Sequence, residues 1–248
     1  MRISLVIAAH NEEARIADCI ASIQRALEMH PSNAEIVVVA NACTDKTAEI
    51  ARGMRGVRVV EEPKKGLSQA RSTGFTASDG DIVANLDADI HMSSAWIPFV
   101  LNVFATTPNL VALSGPYIYH DLPGLTQWFV KLFYAAAYIN SRISMTLLGT
   151  GAMLQGGNFV VRRSAMEKIG GYNTSITFYG EDTDIARRLM KVGEVRWTFK
   201  LPMRTSGRRF AEEGLLRTGF YYTINYLSTS FSGSPVTKTH EDVRTEKN

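Results

Sequence analysis

The chain has 248 residues, 45% of them hydrophobic and 21% charged, with a formal net charge of +3. That balance belongs to a globular domain long enough to bury a core. It excludes a disordered chain, a disulfide framework built on only Cys19 and Cys43, and a nucleic-acid binder, whose arginines would be massed rather than scattered in pairs. No secretory leader is read at the start and no run reaches the ~18–20 apolar residues of a membrane span, so the expected compartment is the cytoplasm.

Residues 3–8 form a continuous apolar strand that ends in a polar loop. Residues 12–29 have helical spacing, with Ile16, Ile20, Ile23 and Leu27 on one face. Strands follow at 35–39, 57–60 and 81–86. Between them lie a helix opened by Thr44-Asp45 and a second over 67–77. Apolar strands alternating with helices predict a mostly parallel sheet covered on both faces, with ligands outside the carboxyl ends of the strands. Those ends carry His10-Asn11-Glu12, residues 41–45 and Asp87-Ala88-Asp89. The second half is less regular. A strand is read at 110–119, one long aromatic-rich helix or two at 125–148, a glycine-rich stretch at 149–157 and a strand at 159–162. A helix at 181–192, a strand at 195–199 and an apolar helix at 214–231 complete it. The polar tail 233–248 is expected to be disordered.

Four clusters can carry chemistry, and each also has a plain structural reading. Asp87 and Asp89 flank a small residue at a strand end, where hard carboxylate oxygens can hold Mg²⁺ or Mn²⁺ beside a diphosphate; the alternative is a solvated turn. Glu181-Asp182 follows Gly180 at a helix start, which suits acids in any case, but a placed carboxylate there can also act as general base. Lys65-Gly66 and Arg71 suit phosphate at a helix N-terminus or are an ordinary helix start. Arg208-Arg209 recognises phosphate oxygens or is a solvated basic loop. The aromatic helix around Trp128, Phe129, Phe133 and Tyr134 can be core, line an acceptor groove, or lie on a membrane surface.

In order and spacing these motifs resemble family 2 of the glycosyltransferases over roughly residues 3 to 210. The resemblance rests on residues 6–13 (Val-Ile-Ala-Ala-His-Asn-Glu-Glu), Thr44-Asp45 with Thr47, Lys65-Gly66 with Ala70-Arg71, Asp87-Ala88-Asp89, Gly156-Gly157-Asn158 with Arg162, and Gly180-Glu181-Asp182. It implies an α/β GT-A fold over 1–232, with a nucleotide-binding half (1–90), an acceptor-binding half with a helical extension (91–232), and inverting transfer from a UDP- or GDP-sugar. It further implies donor contacts at Ala9, Asn11, Glu12, Asn41, Asp45, Lys65, Arg71, Asp87, Ala88, Arg208 and Arg209. The metal falls to Asp89 with Asp87, catalysis to Asp182 with Glu181, and acceptor contacts to Gly157, Asn158 and Tyr179. The acceptor is a hydroxyl on a lipid, glycan, metabolite or peptide, with no nucleic acid and with peripheral membrane contact left open. The chain departs from the pattern at Ala40-Asn41, where many members carry acids, and it lacks the Gln-x-x-Arg-Trp element of processive synthases. The rival readings are an inactive nucleotide-sugar-binding scaffold and, ranked lower, a nucleotidyltransferase.

Overall fold

Strand β1 (Ile3–Ala9) is buried along its whole length except at Ala8, so it needs a covering layer on each face. The computed structural model describes residues 1–176 and 178–237 and supplies both layers. After β1 come α1 (Ile16–Met29), β2 (Ala34–Asn41), α2 (Thr47–Gly53), β3 (Val57–Glu62), α3 (Leu67–Ala77) and β4 (Ile82–Asp87). Then follow α4 (Trp96–Thr106), β5 (Leu110–Ser114), β6 (Tyr117–Tyr119), α5 (Gly124–Leu148), β7 (Asn158–Arg162) and α6 (Arg163–Lys168). The described chain ends with α7 (Glu181–Leu189), β8 (Glu194–Trp197), β9 (Met203–Thr205), α8 (Arg208–Glu213) and α9 (Leu215–Ser232).

The central sheet has seven strands in the order β3-β2-β1-β4-β7-β5-β8. The first four are parallel, and β7 runs antiparallel between β4 and β5. Ile3, Leu5 and Ile7 face a core shared with Ile16, Ile20 and Ile23 of α1 and Trp96, Ile97 and Val100 of α4. Val6 faces a second core with Ala70 of α3, Phe159 of β7 and Ile185 and Leu189 of α7.

Several boundaries differ from expectation for identifiable reasons. Helix α1 starts at Ile16 because Glu12 to Arg15 make a turn, the Glu12 carbonyl accepting from both the Arg15 and Ile16 amides. Asp45 lies just before α2 and accepts from the Thr47 amide at 3.0 Å. The single strand expected at 110–119 is two strands in different sheets. The chain turns at Gly115-Pro116, where a Cβ on Gly115 would sit 2.1 Å from the Leu201 carbonyl oxygen. Strand β6 then pairs with β9 in a small parallel sheet. Helix α4 begins at Trp96, after the segment that carries Asp87 and Asp89; its Pro98 is tolerated because it lies in the first turn. Of the tail expected to be disordered, residues 233–237 fold back on α9. The Thr237 amide donates to Asn225 Oδ1 at 2.9 Å, and Ser228 donates to the Ser234 carbonyl at 2.8 Å. Residues 238–248 lie outside the described residues.

Candidate active site

A cleft of about 890 Å³ opens at the carboxyl ends of β1 and β4. Asp87, Ala88 and Asp89 line one wall, Glu181 and Asp182 another, and Arg208 and Arg209 a third. The two acidic clusters, 93 residues apart in sequence from Asp89 to Asp182, therefore face a single cavity. Glu12, Arg71, Gly157 and Tyr179 line it as well.

Asp87 is held from both sides. Its Oδ2 accepts from the Tyr117 hydroxyl at 2.7 Å, and its Oδ1 lies 3.3 Å from an Arg71 guanidinium nitrogen. Burial, then the neighbouring Asp87, push the Tyr117 hydroxyl well above its ordinary pKa, so it stays protonated and donates. Gly157 makes this packing feasible: a Cβ there would lie 2.1 Å from both Asp87 Cγ and the Tyr117 oxygen. Asp89 accepts from the Thr205 hydroxyl at 3.1 Å and lies 3.3 Å from Arg208. Burial raises its pKa from 3.8 to about 6, with Arg208 opposing and Asp87 and Glu12 reinforcing the rise. Arg208 also forks onto buried Glu12 with both terminal nitrogens, tying the start of α8 to the end of β1.

Arg71 is the buried centre of the site, only 1% exposed. It pairs with Glu181 and with Asp87 and lies over the Phe159 ring, 5.3 Å from the centroid. Its guanidinium holds two carboxylates in place while lining the cleft where a phosphate contact is expected. Arg71→Met should cost about 3–5 kcal/mol, because buried Glu181 is left without a countercharge. Urea unfolding measures that loss, and Arg71→Lys should recover only part of it because an ammonium lacks the planar fork.

Asp182 stands at the first turn of α7. Its Oδ1 accepts from the Thr183 amide at 2.7 Å, while Oδ2 lies on the side of Gly156. A helix N-terminus alone would hold this carboxyl low. Burial outweighs it and Arg71, and the pKa is raised above 3.8. Tyr179 is buried against Tyr221 and Tyr222, and Arg209 pairs with Glu213 at 2.6 Å and lies over the Phe178 ring.

Other residues expected at the ligands make hydrogen bonds within the scaffold. Asn41 donates to the Glu62 and Lys64 carbonyls at 3.1 and 2.7 Å and accepts from the Gly66 amide at 2.9 Å. Its amide is committed to bracing the loop between β3 and α3. Asn158, expected beside the acceptor, is fully buried. It accepts from Trp96 at 2.9 Å and donates to the Gly115 and Leu201 carbonyls at 3.1 and 2.8 Å. Asn11 and Asp45 knit the two nucleotide-side loops together, Asn11 accepting from the Thr44 amide at 2.9 Å and Asp45 from the Glu13 amide at 3.1 Å. Ala9, Asn11, Asn41, Asp45, Lys65 and Asn158 lie outside the cleft lining. Tyr117 and Thr205, which hold the two aspartates, carry no signal in the sequence, since a tyrosine in an apolar strand and a threonine in a loop read as ordinary.

The model of Glycosyl transferase family 2 matches residues 4–170, and that of the N-terminal domain of galactosyltransferase matches residues 149–205. A dolichol-phosphate mannosyltransferase of Pyrococcus furiosus is 26% identical over 208 residues, covering 82% of this chain and 58% of its own length. The chain spans about half the length of the curated relatives it matches. Among solved structures, a mannosyltransferase from Pyrobaculum calidifontis in complex with GDP-mannose and Mn²⁺ superposes with a TM-score of 0.65 at 19% identity, covering 82% of this chain and 56% of that one. Glucosyl-3-phosphoglycerate synthase from Mycobacterium tuberculosis, in complex with Mn²⁺, UDP-glucose and phosphoglyceric acid, superposes with a TM-score of 0.63 at 21% identity, covering 94% and 80%. The sheet order and the order of motifs thus agree with the family match, and the chain belongs to family 2 of the glycosyltransferases, built on the GT-A fold.

Proposed function

We propose that the protein transfers a sugar from a UDP- or GDP-sugar to an acceptor oxygen with inversion, using Asp182 as general base. The observation that carries this reading is the opening of Asp89 and Asp182 onto one cleft. Asp89, supported by Asp87, would hold Mg²⁺ or Mn²⁺. Both offer hard oxygen ligands, and the charged form of Asp89, which burial and then Asp87 and Glu12 disfavour, is the form a cation would stabilise. Among the described residues no group of three or more metal-ligating side chains converges, so the donor diphosphate is left to supply the remaining oxygens. A bound cation would supply neutralisation of the charge that develops on the leaving diphosphate.

The chain's own residues do the rest. Asp182 accepts the proton from the acceptor oxygen as that oxygen bonds to the anomeric carbon. The bond from that carbon to the diphosphate breaks on the opposite face, and the nucleoside diphosphate leaves with the electron pair. The raised pKa of Asp182 strengthens it as a base. Arg208 lines the same cleft as Asp89 and carries the positive charge nearest to it, so it can meet diphosphate oxygens once it lets go of Glu12.

Incubation with UDP-glucose and GDP-mannose, with and without Mn²⁺, tests the reading. Sugar release that requires Mn²⁺, and a product of inverted anomeric configuration by NMR, are the expected results. Nucleotide binding without turnover would favour the scaffold reading instead.

A further inference from the structure

Helix α5 is apolar on both of its faces. Val130, Tyr134, Ser141 and Ser144 are buried against the domain. On the opposite side Leu125, Trp128, Leu132, Ile139, Ile143 and Leu147 recur at helical spacing and face outward; Trp128 is 54% exposed, Ile139 59% and Leu147 74%. On this 25-residue helix the stripe, from Leu125 to Leu147, is about 33 Å long. Helix α9 presents a second stripe, with Phe220, Leu227 and Phe231 exposed. Phe129, Phe133, Phe220 and Leu227 are exposed and also line the cleft, so the two stripes meet at its mouth.

The charges on these helices have one sign. Neither α5 nor α9 contains an aspartate or glutamate, and their charged residues, Lys131, Arg142 and Arg217, are all exposed. Eleven positions apart, Lys131 and Arg142 fall on the same flank of the α5 stripe. The loop bearing exposed Phe199 and Lys200 packs against Tyr138 on that flank. Among the described residues no helix is long and apolar enough to cross a membrane. An outward row of Trp, Leu and Ile edged by cations suits a helix lying in the headgroup region, sunk about 5–10 Å. A second copy of the chain would bring cation against cation, with no acid on either helix to pair them. Anionic lipid phosphates complement the sign of these side chains.

We propose that α5 and α9 form a docking face for an anionic membrane surface. Docking by this face sets the mouth of the cleft against lipid. Taken with the transferase reading above, the acceptor is then an amphiphile whose polar head reaches Asp182 while its tail stays among Phe129, Phe133, Phe220 and Leu227.

Flotation with phosphatidylcholine vesicles and with equimolar phosphatidylcholine–phosphatidylserine vesicles tests the docking. The protein should float with the anionic vesicles and be released by salt. The triple variant Leu132→Ser, Ile139→Ser, Ile143→Ser should weaken binding about tenfold or more. The double variant Lys131→Glu, Arg142→Glu should do the same while keeping the wild-type melting curve. All five positions lie outside the cleft lining, so donor hydrolysis should be unchanged in solution. Protein that stays in solution with both vesicle types overturns the proposal. So does equal flotation with neutral vesicles that is indifferent to the charge variant. A dimer that the serine variant dissolves, without vesicle binding, would assign the face to a second copy. Flotation without donor hydrolysis would leave the docking face standing and remove the transferase reading.

Discussion

Asp182→Asn lowers the transfer rate by about 10²–10⁴-fold, the usual worth of a placed general base, and leaves Mn²⁺-dependent nucleotide binding nearly intact. Asparagine keeps the hydrogen bond from the Thr183 amide through its carbonyl oxygen but cannot take a proton. The pH dependence has a definite sign. Burial raises the folded pKa of Asp182 above 3.8, so between that value and the raised one the folded state binds more protons than the unfolded state. Stability therefore falls as pH rises through this window, while the rate rises because the base becomes ionised. In the variant the share of both slopes that comes from Asp182 disappears while that of Asp89 remains, and its Tm at neutral pH should equal or exceed that of the wild type. Initial rates and thermal melts across the acidic range measure the two together. A variant that turned over normally would remove Asp182 from the mechanism.

Asp89→Asn acts on the other wall. It should abolish the stabilisation that Mn²⁺ plus nucleoside diphosphate gives the wild type and lower turnover on the order of 10³-fold, since a cation at a leaving diphosphate contributes several kcal/mol. Without metal, the same substitution should stabilise the protein. The rise of the Asp89 pKa from 3.8 to about 6, mainly by burial, corresponds to on the order of 3 kcal/mol against the charged form, as an upper bound on the gain. Wild-type stability without metal should accordingly fall as pH rises from about 4 through 6, and the variant should show a shallower fall, keeping only the share that comes from Asp182. Melting curves with and without Mn²⁺ separate the two effects. Asp87→Asn should be milder for metal and harsher for folding, because Asp87 is tied to Arg71 and Tyr117.

The parallel half of the fold is legible because β1, β2 and β4 are almost continuously apolar, and α1 between the first two shows a one-sided apolar stripe. Carboxylates at the strand ends follow from that topology, so Asp87, Asp89 and Glu12 are found where a parallel sheet places ligands. The second half is harder to read. The break between β5 and β6 depends on the close approach of Leu201, which lies far along the chain. The amides of Asn41 and Asn158 have the same chemistry whether they meet a ligand or a carbonyl of the fold. Only the three-dimensional contacts show that both are spent on the scaffold. Arg71 is ambiguous in a similar way, since a guanidinium suited to phosphate is equally suited to the buried Glu181. The outward stripe on α5 is present in the letters, but telling it from core required knowing which side of the helix faces the domain.

The pairing of Arg208 with Glu12 joins positions separated by 196 residues. On a ribosome, the opening βα units can assemble early, since domains fold from their N-terminal portions as these emerge. The acidic pocket they create then stands without its guanidinium until α8 has been synthesised. The wall of the cleft that Arg208 supplies is thus closed only after residues far downstream of Glu12 have been made, so the opening βα units cannot form the complete lining on their own.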